Sequence, residues 1–217
     1  ENFKMKVIVL DTETTNSLEE PICYDCGWAV IDLDTKETIK TESFAVAEIL
    51  LDKELMSSAY FAEKIPQYWE EIEKGERTLV RFSTICRKFR EDCRAFGITE
   101  VYAHNMRFDY RSCTLSQRYI TSSKYRYFFP YGIKICDTLK MAREAFSKEE
   151  NYIRFCDENG YRTSRNQLRM TAEILYRYIS GDNEFTEEHK GLADVLIEKE
   201  ILFACRERGV MNGSLWD

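Results

Sequence analysis

Apolar and polar positions divide the chain into a strand-patterned first quarter and a helix-patterned remainder. Lys6–Leu10 (KVIVL) is an unbroken aliphatic run, the pattern of a strand covered on both faces. Tyr24–Leu33 (YDCGWAVIDL) and Glu37–Val46 (ETIKTESFAV) predict two more strands, joined by the tight turn Asp34-Thr-Lys. Short turns between the three point to an antiparallel meander. The period then lengthens. Asp52–Glu73 reads as helix with a break at Pro66. Leu79–Phe96 spaces Val80, Ile85, Phe89, Cys93 and Phe96 three to five apart, an amphipathic helix stopped by Gly97. Glu100–Ala103 predicts a short strand, Arg107–Ile120 a helix, Lys134–Cys136 a strand and Thr138–Phe146 a helix. Gln167–Ile179 and Glu187–Arg208 close the chain as helices. No repeat or linker divides it, so one domain over 1–217 is expected. The order implies an α/β layered fold, a mixed β-sheet flanked by helices.

Composition narrows the function classes. With 31 Lys+Arg against 38 Asp+Glu the net charge is −7, which argues against a protein that coats nucleic acid by bulk charge. It leaves room for an enzyme that grips a few phosphates through metal ions. No apolar run approaches the ~20 residues of a membrane helix. The first residues, Glu-Asn-Phe-Lys-Met-Lys, lead straight into a strand without a secretory pattern, so a cytoplasmic location is expected. The eight Cys fall mostly within apolar patterns and read as reduced core thiols. Cys23-Tyr-Asp-Cys26 has the spacing of half a zinc site, but no second pair matches it, and a strand there would point the two thiols in opposite directions.

Three segments carry acid or histidine in patterns that suit chemistry. Asp11 and Glu13 are two apart at the end of the first strand, so both project from one face, and their mutual repulsion calls for a hard divalent cation. Taken alone, a solvated strand end explains them as well. Asp109, in His104-Asn105-Met-Arg-Phe108-Asp109, follows a short strand and opens a helix, a position from which a carboxylate can reach the ligand-binding edge of an α/β sheet or simply complement the helix dipole. His189 and Asp194 are five apart, a rotation of ~140° on a helix. They converge only if His189 lies before the helix or in its first turn. The chain has two His, and His104, directly after a buried-looking strand, favours a structural role.

Together the three segments resemble the DEDDh family of 3′–5′ exonucleases: Asp11-Thr-Glu13-Thr-Thr, Asn105-Met-Arg-Phe108-Asp109 and His189-Lys-Gly-Leu-Ala-Asp194, in the family's order. Cys136-Asp137-Thr138-Leu139 also looks like a recurrent strand-to-helix segment of that family. The resemblance spans about residues 6 to 205. Residues 47–75 and 147–166 are longer connections than a minimal member needs. Lys190-Gly191 replaces a frequent Arg-Ala, with little consequence expected. The resemblance implies a ribonuclease H-like sheet and metal-dependent hydrolysis, with Asp11, Glu13, Asp109 and Asp194 holding two Mg²⁺ or Mn²⁺ and His189 as general base. The substrate implied is a single-stranded nucleic acid 3′ end, DNA favoured over RNA, cut to nucleoside 5′-monophosphates in proofreading beside a DNA polymerase or in an accessory role. Thr14, Thr15 and Asn105 match positions that hold the terminal nucleotide. Phe108 reads as a core anchor. Lys124-Tyr-Arg-Tyr-Phe-Phe-Pro-Tyr131 interleaves basic and aromatic residues, and Arg162, Arg165 and Arg169 offer phosphate contacts or a solvated face. Three readings compete: an RNA-trimming exoribonuclease of the same family, a non-catalytic nucleic-acid or polymerase-binding module, which a missing site residue would favour, and a phosphatase with an aspartate nucleophile, which wants Asp where Glu13 stands.

Overall fold

The structure, a computed structural model, describes residues 5–121 and 127–216. Residues 1–4 of the N-terminal segment and 124–126 of the basic–aromatic segment lie outside them. β1 (Lys6–Asn16), β2 (Pro21–Asp32) and β3 (Thr38–Val46) form the expected antiparallel meander. There follow α1 (Ala47–Leu50), α2 (Lys53–Met56), α3 (Ile65–Glu73), β4 (Thr78–Val80), α4 (Phe82–Ala95), β5 (Glu100–Ala103) and α5 (Met106–Ile120). β6 (Lys134–Asp137), α6 (Thr138–Phe146), α7 (Glu150–Asn159), α8 (Ala172–Ser180) and α9 (Gly191–Glu207) complete the order. The sheet runs β4-β3-β2-β1-β5-β6, with β4, β5 and β6 each parallel to its inner neighbour.

Strand alternation sorts the core into two layers. Ile8, Leu10, Trp28 and Val30 face α4 and α5, while Val7, Val9, Ala29 and Ile31 face α6, α7, α8 and α9. Buried on both faces, β1 and β2 have no polar side, which is why KVIVL shows no alternation. No helix among the described residues is long and apolar enough to cross a membrane.

Four expectations change. Asp52–Glu73 is not one helix: Asp52 caps α2, and Pro66 lies in the first turn of α3, where its missing N–H costs nothing, so proline starts a helix here instead of breaking one. Leu79 and Val80, expected to open a helix, instead form β4 against β3, and α4 starts only at Phe82, while α7 arises in a segment without a clear pattern. α8 begins only at Ala172, where the Thr171 hydroxyl accepts Ile174 N–H; residues 162–168 before it form a small hairpin turning on Asn166. Cys23 and Cys26 do not diverge. A β-bulge leaves Tyr24 unpaired between them, which reverses the alternation and brings both thiols to the same core layer, beside Cys113. All eight cysteines are buried and free. The basic–aromatic segment is part core, with Phe128 and Phe129 buried and Tyr127 and Tyr131 exposed.

Candidate active site

β1 outruns β5. Their pairing stops at Val9↔Tyr102, so one edge of β1 lies open from Asp11 onward. Alternation carries Asp11 and Glu13 to the α9 face and Thr12 to the α5 face. α5 closes the open edge: Thr12 N–H and the Thr12 hydroxyl both donate to Asp109 Oδ1, at 3.1 and 2.9 Å. Asp109 reaches that point because Asn105 turns the chain sharply between β5 and α5 in a left-handed conformation (φ 65°). Asn105 N–H donates to Asp137 Oδ1 at 2.9 Å, and the same oxygen takes Leu139 N–H at 2.8 Å as the cap of α6. The Asp137-Thr138-Leu139 segment thus fixes the strand ends around the site.

α9 supplies the other wall. Its first residue, Gly191, is pressed onto the sheet at Gly27. A Cβ on Gly27 would lie 2.4 Å from Leu192 N, and one on Gly191 would lie 2.9 Å from Gly27 N and 3.2 Å from Asp11 O. Glycine at 191 is therefore consequential, contrary to expectation: backbone meets backbone there. His189 precedes the helix, in a left-handed conformation (φ 53°), so the ~140° offset does not apply. A ring nitrogen of His189 and one carboxylate oxygen each of Glu13 and Asp194 lie within 4.8 Å of one another.

The long 47–77 connection clamps this loop. The Phe61 ring stacks on His189 with centroids 3.8 Å apart at 12°. Lys190 pairs with Glu71, which also accepts Arg77 Nε at 2.8 Å. Arg77 Nη1 donates to Asp25 Oδ1 at 2.8 Å, while Asp25 Oδ2 accepts Tyr68 Oη at 2.6 Å and Gly191 N–H at 3.0 Å. The fully buried Asp25 thus ties α3, Arg77 and the first turn of α9 to β2.

Electrostatics set the acids apart. Burial first, then the charges of Glu198, Asp109, Glu13 and Asp194, push the Asp11 carboxyl far above the usual range. Burial and Asp194 push Glu13 up to about 9, burial pushes Asp109 up to about 7, and burial and Glu187 push Asp194 up to about 8. Asp11 Oδ2 and Asp194 Oδ1 are buried without a hydrogen-bond partner among the described residues. Burial and the Lys64 ammonium hold the His189 imidazole below its usual value, which keeps it neutral near pH 7.

His104 is structural, as expected. Its Nε2 lies 2.7 Å from Met170 O, an acceptor only, so Nε2 carries the proton and Nδ1 accepts from the Thr138 hydroxyl at 3.0 Å. Glu198, absent from the sequence expectations, is a fifth acid of the site, itself buried, whose Oε2 takes His104 N–H at 3.2 Å. Its signal was present: an acid four residues, about one turn, after Asp194, and so on the same face of the helix. Thr14 and Thr15 do not line the cavity, and Thr15 is buried with its hydroxyl given to Leu55 O, because β1 continues as a paired strand to Asn16. Asn105 does line it, as does Phe108, which is only partly buried and not the core anchor expected. The cavity, about 1340 Å³, extends from the acids past Phe61 and His104 to Arg143, Arg162 and Arg169. Arg162 is paired with Asp157, and Arg165 stays outside.

No protein-family model matches the chain, and no curated protein matches it in sequence. Solved structures share its fold. One is the nuclease domain of 3′hExo, a DEDDh family member, bound to rAMP: 11% identity, TM-score 0.63, covering 99% of this chain and 100% of that one. Another is a 3′-exonuclease in 3′-end-specific recognition of a histone mRNA stem-loop: 13% identity, TM-score 0.62, covering 97% and 85%. A third is E. coli exonuclease I in complex with a dA16 oligonucleotide: 12% identity, TM-score 0.55, covering 94% of this chain and 41% of that one. At these identities the likeness establishes the fold, a mixed six-stranded sheet flanked by helices of ribonuclease H-like type, as in these exonucleases.

Proposed function

We propose that this protein is a metal-dependent 3′–5′ exonuclease acting on single-stranded nucleic acid. The observation that carries the reading is the pair of buried, partnerless oxygens, Asp11 Oδ2 and Asp194 Oδ1, beside Glu13 and a neutral His189 at the mouth of a nucleotide-sized cavity. Buried carboxyls left without donors ionise only beside a cation, and an all-oxygen set with one imidazole suits Mg²⁺ or Mn²⁺. Asp11, Glu13, Asp109 and Asp194 would hold two such ions, which supply Lewis acidity toward a phosphodiester and a lowered pKa for water. Thr12 orients the Asp109 carboxylate from two sides. His189, held by Phe61, accepts the proton of the attacking water at the nitrogen facing Glu13 and Asp194. Asn105 contacts the terminal nucleotide, and the products are nucleoside 5′-monophosphates. DNA is the favoured polymer, in a proofreading or accessory role; the folds it shares include exonucleases described with DNA and with RNA.

Single-stranded DNA and RNA labelled at either end, incubated with Mg²⁺, Mn²⁺ or EDTA, test this beside Asp11→Ala. The expected result is mononucleotide release from the 3′ end, abolished by EDTA and by Asp11→Ala. Internal cuts, or turnover undiminished by chelation, would refute it.

A further inference from the structure

We propose that the outer face of α5 is a second contact site for the polynucleotide, gripping the phosphates of the strand behind its 3′ end. The proposal deepens the exonuclease reading and rests on it for the substrate class.

α5 has two faces with different work. Phe108 and Asp109 face the acidic cavity, whereas Arg107, Tyr110, Arg111, Thr114 and Arg118 line a separate recess of about 320 Å³ closed by Trp216. At ~100° per residue, Arg107, Arg111 and Arg118 fall within about 40° of one another, a straight stripe. It starts beside the acidic cavity and extends ~16 Å along the helix. All three are exposed.

Five arginines, Arg77, Arg87, Arg162, Arg177 and Arg208, each meet a carboxylate, while others such as Arg81 and Arg94 meet none among the described residues; what sets the α5 arginines apart is that three of them line up along one recess. Among the described residues Arg107 and Arg118 meet none, and Arg111 reaches only the backbone oxygen of Glu19, at 3.5 Å. In a chain of net charge −7, three aligned guanidiniums with no carboxylate against them make a local positive stripe to which a polyanion is drawn. The aromatic floor refines the match. Tyr110 is stacked on Phe129 (5.4 Å, 5°) and meets Trp216 edge-on (5.7 Å, 81°), leaving Trp216 63% exposed. Guanidiniums for phosphates beside an exposed indole for a base form the pairing that single strands use. An acidic protein surface would need no ring. A ~16 Å stripe matches about five phosphates of a stacked strand at ~3.4 Å each. The acids hold the 3′-terminal phosphodiester, and α5 holds the strand that trails from it.

The test is binding of fluorescein-labelled single-stranded DNA of about four and about sixteen nucleotides, read by anisotropy in EDTA, so that only direct contacts count. Wild type is compared with Arg111→Glu/Arg118→Glu and with Arg111→Lys/Arg118→Lys; both positions of change are surface sites, and circular dichroism checks the fold. The expected outcome is affinity that rises with length in wild type and a ~10- to 100-fold loss in the Glu variant on the longer strand. The Glu variant should lose little on the shorter strand, the slope against salt should fall by about 2, and Lys should retain most of the affinity. Equal loss at both lengths, or wild-type affinity of the Glu variant for the longer strand, would overturn the proposal. The two readings fail separately. Length-dependent loss without 3′ hydrolysis would reject the nuclease and keep the stripe; hydrolysis with unaltered long-strand binding in the Glu variant would do the reverse.

Discussion

Glu13 and Asp25 face one another across the β1–β2 ladder, and the buried acids around them meet opposite fates. On the Asp25 side every charge is answered. Asp25 takes bonds from Tyr68, Arg77 and Gly191, and Glu71 links Arg77 to Lys190. On the Glu13 side, Asp11, Glu13, Asp194 and Glu198 crowd together, and two of their oxygens have no donor among the described residues. Both sets are buried at the same end of the same strands, so burial alone does not mark function. What separates them is satisfaction. A buried acid with its donors in place is structure; a group of buried acids that raise one another's pKa and lack donors is stable only with something from outside. The paired set also carries the unpaired one, since Asp25 and Lys190 fix the turn that presents His189.

The sharpest way to break this comparison is His189, which sits between the two sets. His189→Ala is expected to lower the hydrolysis rate ~10²–10⁴-fold, the size of a lost general base, while metal still binds by calorimetry. A loss below tenfold would remove it from that role. Stability in urea should move by only about 1 kcal/mol, the scale of its stacking on Phe61.

The next effect reverses the signature. Arg77→Met leaves Asp25 buried without its cation and should cost ~3–5 kcal/mol in urea denaturation. Asp11→Asn replaces a carboxyl that the fold holds far above its ordinary range with a neutral amide, and should raise the melting temperature of the metal-free protein at alkaline pH, where that carboxyl must ionise. Two destabilised variants would mean that the acidic cluster is satisfied after all.

A further test is the pH slope. Asp109, Asp194 and Glu13 are held at about 7, 8 and 9 in the fold, above the ~4 of the unfolded chain. Between those limits the native state binds more protons than the unfolded state, so stability falls as pH rises. The metal-free protein should lose melting temperature steadily from about pH 5 to about pH 9, and the gain on adding Mg²⁺ should be larger at the alkaline end, since binding releases those protons. A flat profile without metal would show that the carboxyls are not held up.

Much of this was legible in the chain. KVIVL and the run after it specified β1 and β2 because strands buried on both faces are mostly apolar, and β3 was legible through its alternation. Asp11 and Glu13 declared a common face through a two-residue spacing, and the three acid-bearing segments announced themselves by composition. Other features depend on distant partners. β4 is three residues long and exists because β3 offers it an edge. Tyr68, Glu71 and Arg77 look like an ordinary helical face and charge run, and nothing local says that Asp25 waits for them. Thr15 looked free for a nucleotide because its acceptor, Leu55 O, lies 40 residues away.

The sequence by itself determined which residues carry charge, which faces they share and the order in which the segments come, since these follow from side-chain chemistry and the two- and 3.6-residue periods. Tertiary structure alone decided how far each acid is from water and from its neighbours. It also decided that α9 starts after His189, not before it, because Gly27 and Gly191 let backbone touch backbone there. Desolvation and Coulomb energy depend on distances through space, and the chain sets those only when it closes on itself.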